Sequence, residues 1–152
     1  MQYGITIFLY LAGFGFGVYA MWLVRHSFVL FWLIALPSTF VHELAHFMFA
    51  LVLNGKPSRI SIFPKKSDNT WVMGYVKFEP SWYNGALIAM APLIVNICLF
   101  LFLFNPGTPT GYPWWFPILC GFLVGGLVPS KTDWGIALRY PFGFLLLGLF
   151  FI

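Results

Sequence analysis

Two of the three histidines in this chain, His42 and His46, lie four positions apart, and Glu43 directly follows the first of them. Four positions along an α-helix correspond to about 400° of rotation, so both imidazoles project from nearly the same face, one turn apart. Imidazoles at this spacing can bind one metal ion together, and a glutamate one position round the helix can reach a water on that ion without ligating it. The spacing therefore predicts a metal site on one helix.

The five residues 42–46 have the HExxH pattern of zinc hydrolases. A pattern with two free positions also recurs by chance, and the residues alone leave that explanation open. The surroundings weigh against coincidence, because the pattern lies within an apolar stretch at 27–53. An ionisable side chain inside a membrane helix costs roughly a few kcal/mol and is rarely placed there without a partner or a function.

A catalytic zinc ion needs a third protein ligand beside two histidines. The carboxylates outside the HExxH pattern are Asp68, Glu79 and Asp133. Asp68 and Glu79 fall in a basic, turn-rich segment, where solvated surface charge accounts for them. Asp133 ends the polar interruption 129–133 between two apolar runs, from which a non-helical backbone could bring it into a helix bundle. We predict Asp133 as the third ligand; a helix N-cap, or an ion pair with Lys131, is the alternative.

The composition places these residues in a membrane protein. The chain of 152 residues is 61% hydrophobic and 8% charged, whereas an ordinary soluble domain has about 25% charged residues. We therefore expect an integral, multi-pass protein of the all-α class, with one domain over residues 1–152. In the first apolar run, Gly13 and Gly17 have a GxxxG spacing that favours close helix packing, although such glycines are also ordinary in membrane helices. The runs that predict about five spanning helices lie at 5–24, 27–53, 83–104, 114–128 and 134–152.

The segment 54–82 carries five of the eight Lys and Arg residues, whereas the loop at 105–113 carries none. Basic residues concentrate in cytoplasmic loops, so 54–82 is predicted to face the cytoplasm. The short loops, without a glycosylation acceptor pattern, favour a prokaryotic plasma membrane. The net charge of +4 is then a topology signal and an attraction to anionic lipid, and no nucleic-acid partner is expected.

The same segment predicts local β structure. Residues 58–63 and 70–78 are rich in β-forming side chains and are separated by a polar, turn-rich stretch at 64–69. This pattern predicts a small β-hairpin at about 58–79. Such a hairpin could accept an extended peptide along a free edge, or it could simply cap the helix bundle, and the residues favour neither.

Taken together, these features resemble the site-2 protease family of intramembrane zinc metalloproteases. Residues 42–47, His-Glu-Leu-Ala-His-Phe, match the family's HExxH motif with its following aromatic residue, and Asp133, about ninety residues downstream, resembles the third zinc ligand. The stretch from Ala91-Pro92 to Asn96 is similar to a small-Pro-x-x-x-Asn element of many members. The resemblance covers about 27–140. The chain departs from the family where Trp134, and not glycine, follows the aspartate.

The resemblance implies that His42, His46 and Asp133 hold Zn²⁺ and that Glu43 is the general base. It assigns Asn96 to the substrate carbonyl or the oxyanion, although an interhelical hydrogen bond explains this residue equally well. The implied activity is hydrolysis of peptide bonds in or near transmembrane or signal-peptide-like segments within the lipid bilayer. The alternatives are hydrolysis of a different bond at the same site, or a non-catalytic membrane subunit or metal-binding scaffold that retains the protease-like fold. A homo-oligomer or a larger membrane complex is left open.

Overall fold

The computed structural model describes residues 2–67, 70–104 and 113–145. The chain is mostly helical, with two small antiparallel strand pairs between the second and third helices. The elements, in chain order, are α1 Gln2–Leu23, α2 Phe28–Val52, β1 Arg59–Ser61, β2 Lys65–Ser67, β3 Thr70–Val72, β4 Tyr75–Lys77, α3 Gly85–Ala89, α4 Ala91–Phe104, α5 Trp115–Val124, the 3₁₀ turn Gly125–Leu127 and α6 Lys131–Arg139.

The described residues contain fewer candidate membrane spans than the five predicted. Two helical stretches, Gly4–Leu23 and Phe28–Val52, are long and apolar enough to cross a bilayer. A third span exists only if Trp115–Leu127 and Lys131–Arg139, which meet at a bend of 66°, are counted as one. The described part of the chain therefore holds two or three candidate spans, and the prediction of five is wrong.

The physical reason is that apolar composition alone does not keep a helix continuous. The run predicted at 83–104 is divided at Met90 into α3, of five residues, and α4, of 14 residues. The runs predicted at 114–128 and 134–152 meet at the polar break that contains Pro129. Proline has no N–H and disfavours a helical residue before it, so it interrupts helices that the apolar pattern would extend. Residues 146–152 of the fifth run, and Asp68 in the hairpin, lie outside the described residues.

Helix α1 packs closely along α5, as the GxxxG spacing suggested. A Cβ atom added at Gly13 would overlap the backbone of Ile118, and one added at Gly121 would overlap the carbonyl oxygen of Tyr10. Gly17 is less tightly enclosed, since its added Cβ would lie 3.1 Å from a ring carbon of Phe122. Close packing through glycine on both helices is therefore confirmed, and it brings the two backbones together without a side chain between them.

The segment 59–77 forms the predicted β-hairpin as two short antiparallel pairs, β1 with β4 and β2 with β3. Its outer half, towards the tip, packs against the first two turns of α2. The rings of Trp71 and Phe28 lie 4.2 Å apart between centroids, and those of Phe63 and Trp32 lie 5.9 Å apart. The Trp32 indole also donates to the carbonyl oxygen of Ile62 over 3.3 Å.

These contacts place the tip of the hairpin beside the N-terminal end of α2, although the chain enters the hairpin from the C-terminal end of that helix. The hairpin therefore runs back alongside α2. If α2 crosses a bilayer, Lys65 and Lys66 near the tip do not share a side with Lys56 at the entry to the hairpin. The basic residues of 54–82 then no longer fix the orientation, and the cytoplasmic location of this segment stays a prediction.

Asn84 fastens the start of α3 to the end of α2. Its side chain is fully buried; the amide nitrogen donates to the carbonyl oxygen of Leu53 over 3.1 Å, and the amide oxygen accepts from the N–H of Ser81 at 2.7 Å. Buried residues of α3 and α6, Ala86, Ala89 and Ala137 among them, then pack into one small core. This arrangement brings the start of α6 and the end of α3 beside the histidines of α2.

Candidate metal centre

The three predicted ligands meet at one point between α2 and α6. The Nε2 atoms of His42 and His46 lie 3.1 Å apart. One carboxylate oxygen of Asp133 lies 3.4 Å from Nε2 of His42, and the other lies 3.3 Å from Nε2 of His46. The three side chains, half-buried or buried, form a group that could hold a metal ion.

The carboxylate of Asp133 is positioned by the start of α6. Ser130 is the N-cap, its hydroxyl accepts from the N–H of Asp133 at 3.2 Å, and the Asp133 carboxylate accepts from the N–H of Ser130 at 2.6 Å. This reciprocal capping box satisfies helix-end donors and fixes the carboxylate. The N-cap is therefore Ser130, and Asp133 takes part in the capping box as the third helical residue. Its carboxylate also belongs to the group that could hold a metal ion, and its role as a ligand stays a prediction. The described residues show no ion pair between Asp133 and Lys131.

The outer nitrogens of both imidazoles face backbone carbonyls. Nδ1 of His42 lies 2.7 Å from the carbonyl oxygen of Gly126, and Nδ1 of His46 lies 2.7 Å from that of Ile88. Because a carbonyl oxygen can only accept, each Nδ1 must donate its proton. In a neutral imidazole this assignment leaves Nε2 with a free lone pair. The hydrogen bonds from Nδ1 thus fix the orientation of both rings, so that each Nε2 points towards the candidate metal position.

Two nitrogen lone pairs and an anionic carboxylate that face one another at these distances repel. A positive charge at the centre, a proton or a metal ion, is needed to hold them together. The distances fit a metal ion, because tetrahedral zinc with bonds of about 2.0–2.1 Å separates its ligand atoms by about 3.3 Å. Two imidazole nitrogens and one carboxylate oxygen are also a ligand set that zinc accepts, with a fourth position left open.

Glu43 lies next to this group and is buried, with 6% of its surface exposed. It lines a cleft of about 520 Å³ together with the three candidate ligands. Gly74 of the hairpin packs closely against Glu43, since an added Cβ would lie 2.8 Å from both Cγ and Oε1 of the glutamate. The backbone of the hairpin therefore touches the glutamate directly.

The cleft has three walls. The first is α2 with the histidines, the second is the chain of the hairpin along 71–78, and the third is the start of α6. The other residues that line the cleft are Thr39, Trp71, Val72, Met73, Tyr75, Val76, Phe78, Gly126, Ser130, Lys131, Thr132 and Ile136. The cleft thus has a strand-like wall beside the candidate ligands.

Asn96, the other predicted catalytic residue, is not among the residues that line this cleft. It lies half-buried on α4, and its role in substrate binding stays a prediction. Sequence reasoning missed Gly126, Ile88 and Gly74, which contact the histidines and Glu43 through their backbones. A signal for Gly126 exists in the Gly125-Gly126 pair shortly before a proline, whereas the contact made by Ile88 leaves no mark in its own side chain.

Comparison of the chain with protein-family models, with curated protein sequences and with solved structures found no match. The resemblance to site-2 proteases therefore depends on the residues quoted above. Within the described residues, the structure itself supports a mostly helical fold with two or three candidate membrane spans and a His-His-Asp group that could hold a metal ion.

Proposed function

We propose that this chain is a zinc-dependent intramembrane protease that hydrolyses peptide bonds in or near transmembrane segments. The observation that carries the proposal is the convergence of His42, His46 and Asp133 beside buried Glu43 in an apolar helical chain. A purely structural cluster would not need two lone pairs and a carboxylate aimed at one another. Nor would it need a further carboxylate at its edge and an open cleft in front of it.

The residues of the centre have separable functions in this proposal. When bound, the zinc ion supplies a Lewis acid that makes water a nucleophile at neutral pH. The Glu43 carboxylate accepts the proton that this water loses as its oxygen adds to the carbonyl carbon of the substrate. The C–N bond of the peptide then breaks, and Glu43 returns the proton to the leaving amine. Gly74 holds the glutamate at the edge of the centre by close contact.

The shape of the cleft indicates how a substrate would be presented. A transmembrane helix shields its own carbonyl groups, so it must unwind locally before hydrolysis, which small or helix-breaking residues near the cleaved bond would ease. The wall formed by 71–78 offers an extended backbone next to Glu43. An unwound substrate can pair with such a backbone as an added strand. We therefore favour the peptide-accepting function of the hairpin over a mere cap.

We infer from the composition and the candidate spans that this reaction takes place in a lipid bilayer. The substrates would be single-pass or signal-peptide-like segments of a prokaryotic plasma membrane. Extended binding along 71–78 requires no second chain, so the proposal holds for a monomer, a homo-oligomer or a larger membrane complex.

The test is cleavage of model single-pass substrates by the purified, zinc-loaded protein, with Glu43→Gln beside the wild type. Glu43→Gln should keep its zinc and lose cleavage, because the amide can no longer accept a proton. Glu79→Gln is the control: Glu79 is exposed and pairs with Lys56 over 3.0 Å, outside the cleft lining. It should cleave normally. Cleavage by Glu43→Gln would contradict the role given to Glu43. Zinc binding by a wild type that cleaves no substrate would favour the non-catalytic scaffold.

A further inference from the structure

Each of the two carbonyls that orient the histidines is followed, three or four residues later, by a proline. In a continuous α-helix the carbonyl of Ile88 would accept the N–H of the residue four positions later. That residue is Pro92, which has no N–H. The helix is also interrupted here, since α3 ends at Ala89 and Met90 has φ −92° and ψ 4°. The Ile88 oxygen thus has no donor at the regular helical position. The N–H of Met90 is directed at it as well as at the Ala86 oxygen, and Nδ1 of His46 donates to it over 2.7 Å.

The carbonyl of Gly126, which contacts the other histidine, also lacks a regular backbone donor. It lies in the 3₁₀ turn Gly125–Leu127, where its regular donor would be the N–H three positions later. That residue is Pro129, which again has none. The next candidate donor, the N–H of Ser130, is engaged by the carboxylate of Asp133 at 2.6 Å. The Gly126 oxygen is therefore free to accept from His42.

We propose that Pro92 and Pro129 are positioning residues of the metal centre. Each proline withholds the backbone donor that would otherwise pair with one carbonyl, and each freed carbonyl holds one histidine in the Nδ1–H tautomer. Pro92 acts on His46, and Pro129 acts on His42. The inference rests on the proposed metal site and is independent of protease activity.

The energetics favour this pairing in both directions. A carbonyl without a donor is costly in an apolar bundle, because no water replaces the missing N–H. An imidazole in solution prefers to carry its proton on Nε2, the atom that the metal needs unprotonated. The freed carbonyl gains a donor when it accepts from Nδ1–H. The same hydrogen bond favours the tautomer with the proton on Nδ1, which leaves Nε2 unprotonated for the metal ion.

Neighbouring contacts keep the carbonyls in place. Val128 is extended, with ψ 129°, as expected for a residue before proline. Gly126 packs directly on Ser38, one turn before His42 on α2. On the other side, Gly55 packs against the side chain of Ile88, with an added Cβ 2.6 Å from its Cδ1. These contacts surround both carbonyls, and replacement of either proline by alanine adds an N–H near the carbonyl and removes the ring.

The test uses ring ¹⁵N chemical shifts of histidine in the full-length, detergent-purified protein, which has only three histidines to assign. These shifts distinguish a protonated ring nitrogen from an unprotonated or metal-bound one. We expect Pro92→Ala to disturb the Nδ1–H signal of His46 and to leave His42 unchanged. Pro129→Ala should do the reverse. Pro117→Ala is the matched control, because Pro117 is as fully buried as Pro92 but lies on α5 outside the cleft lining.

Zinc affinity, measured by competition with a chelator, gives the second readout. We expect Pro92→Ala and Pro129→Ala each to bind zinc about 10-fold or more weakly, in line with other changes behind a metal ligand. Pro117→Ala should bind as the wild type does.

A further variant separates the missing N–H from the rigid ring of proline. Lactic acid incorporated at position 92 has the side chain of alanine but an ester oxygen in place of the N–H. It should keep the wild-type His46 signal and zinc affinity even though the proline ring is gone.

Loss of the His46 signal in the lactic acid variant would overturn the proposal, because the ring and not the missing donor would then matter. Disturbance of both histidines by each single alanine variant would also overturn it, since that pattern indicates general loosening. If one alanine variant does not fold, the other proline and the lactic acid variant still decide the question. Failure of protease activity alone leaves these readouts unchanged, so the two proposals can fail separately.

Discussion

Replacement of Gly126 by alanine should move the 3₁₀ turn away from α2 and lengthen its hydrogen bond to His42, and the structure gives the size of this shift. An added Cβ would overlap Cβ of Ser38 and lie 2.5 Å from its Oγ, whereas ordinary contacts begin at 3.4 Å. To clear Oγ, the 3₁₀ turn must move away from α2 by at least about 0.9 Å, and to clear Cβ it must move farther. The same shift lengthens the 2.7 Å contact between the Gly126 oxygen and Nδ1 of His42 to about 3.6 Å, which no longer counts as a hydrogen bond.

The expected consequence is weaker zinc binding. Loss of the hydrogen bond behind a metal ligand typically lowers affinity about 10- to 100-fold, which corresponds to about 1.4–2.7 kcal/mol. Competition with a chromogenic chelator in detergent measures this change. Gly125→Ala is the control in the same turn, because an added Cβ there meets nothing within 4 Å. The double variant Gly126→Ala with Ser38→Gly should recover much of the affinity, since the overlapping side chain is removed.

Equal zinc affinity in Gly126→Ala and Gly125→Ala would refute this reasoning. So would a double variant that binds no better than Gly126→Ala alone, because the loss would then not come from contact with Ser38.

Three further predictions concern Glu43, the helix packing and the acid response of the site. Gly74→Ala should lower cleavage at unchanged zinc content, because the added Cβ displaces Glu43, whereas Gly135→Ala, with open space around it, should cleave normally; falling zinc content in Gly74→Ala would contradict this. Gly121→Ala should lower the free energy of unfolding by about 1–3 kcal/mol in thermal or denaturant unfolding, and Gly15→Ala, on the free side of α1, should not; equal stability of the two would contradict the close packing of α1 and α5. The apparent zinc affinity should fall as the pH is lowered, because protons compete with the metal ion for the ligand nitrogens; affinity that does not change on acidification would argue against histidine ligation.

The local chemistry of the site could be predicted from sequence because it depends on short spacing. His42 and His46 lie on one helix, so the helical period alone brings them to one face. Asp133 is predictable because the chain has few carboxylates and because this one stands in a polar break between two apolar runs. Its partners in the structure confirm that these three residues come together, about ninety positions apart in the chain.

The number of spans and the path of the hairpin could not be predicted in this way. A hydropathy pattern measures how apolar a segment is, and it does not register the point where Met90 ends α3 or where Pro129 ends the 3₁₀ turn. The return of the hairpin along α2 depends on contacts such as Trp71 with Phe28, which are remote in sequence. The backbone carbonyls of Ile88 and Gly126 were also invisible, because the side chains of those residues carry no chemistry.

Both proposals depend on the binding of one metal ion by His42, His46 and Asp133, and metal analysis of the detergent-purified protein measures this binding. The wild type, prepared without chelators, is compared with His46→Ala, Asp133→Ala and the control His26→Ala, whose histidine lies exposed beside Arg25. We expect about one zinc per chain in the wild type and in His26→Ala, and strong loss in the other two variants. A wild type without bound metal, or variants that keep full zinc, would contradict it.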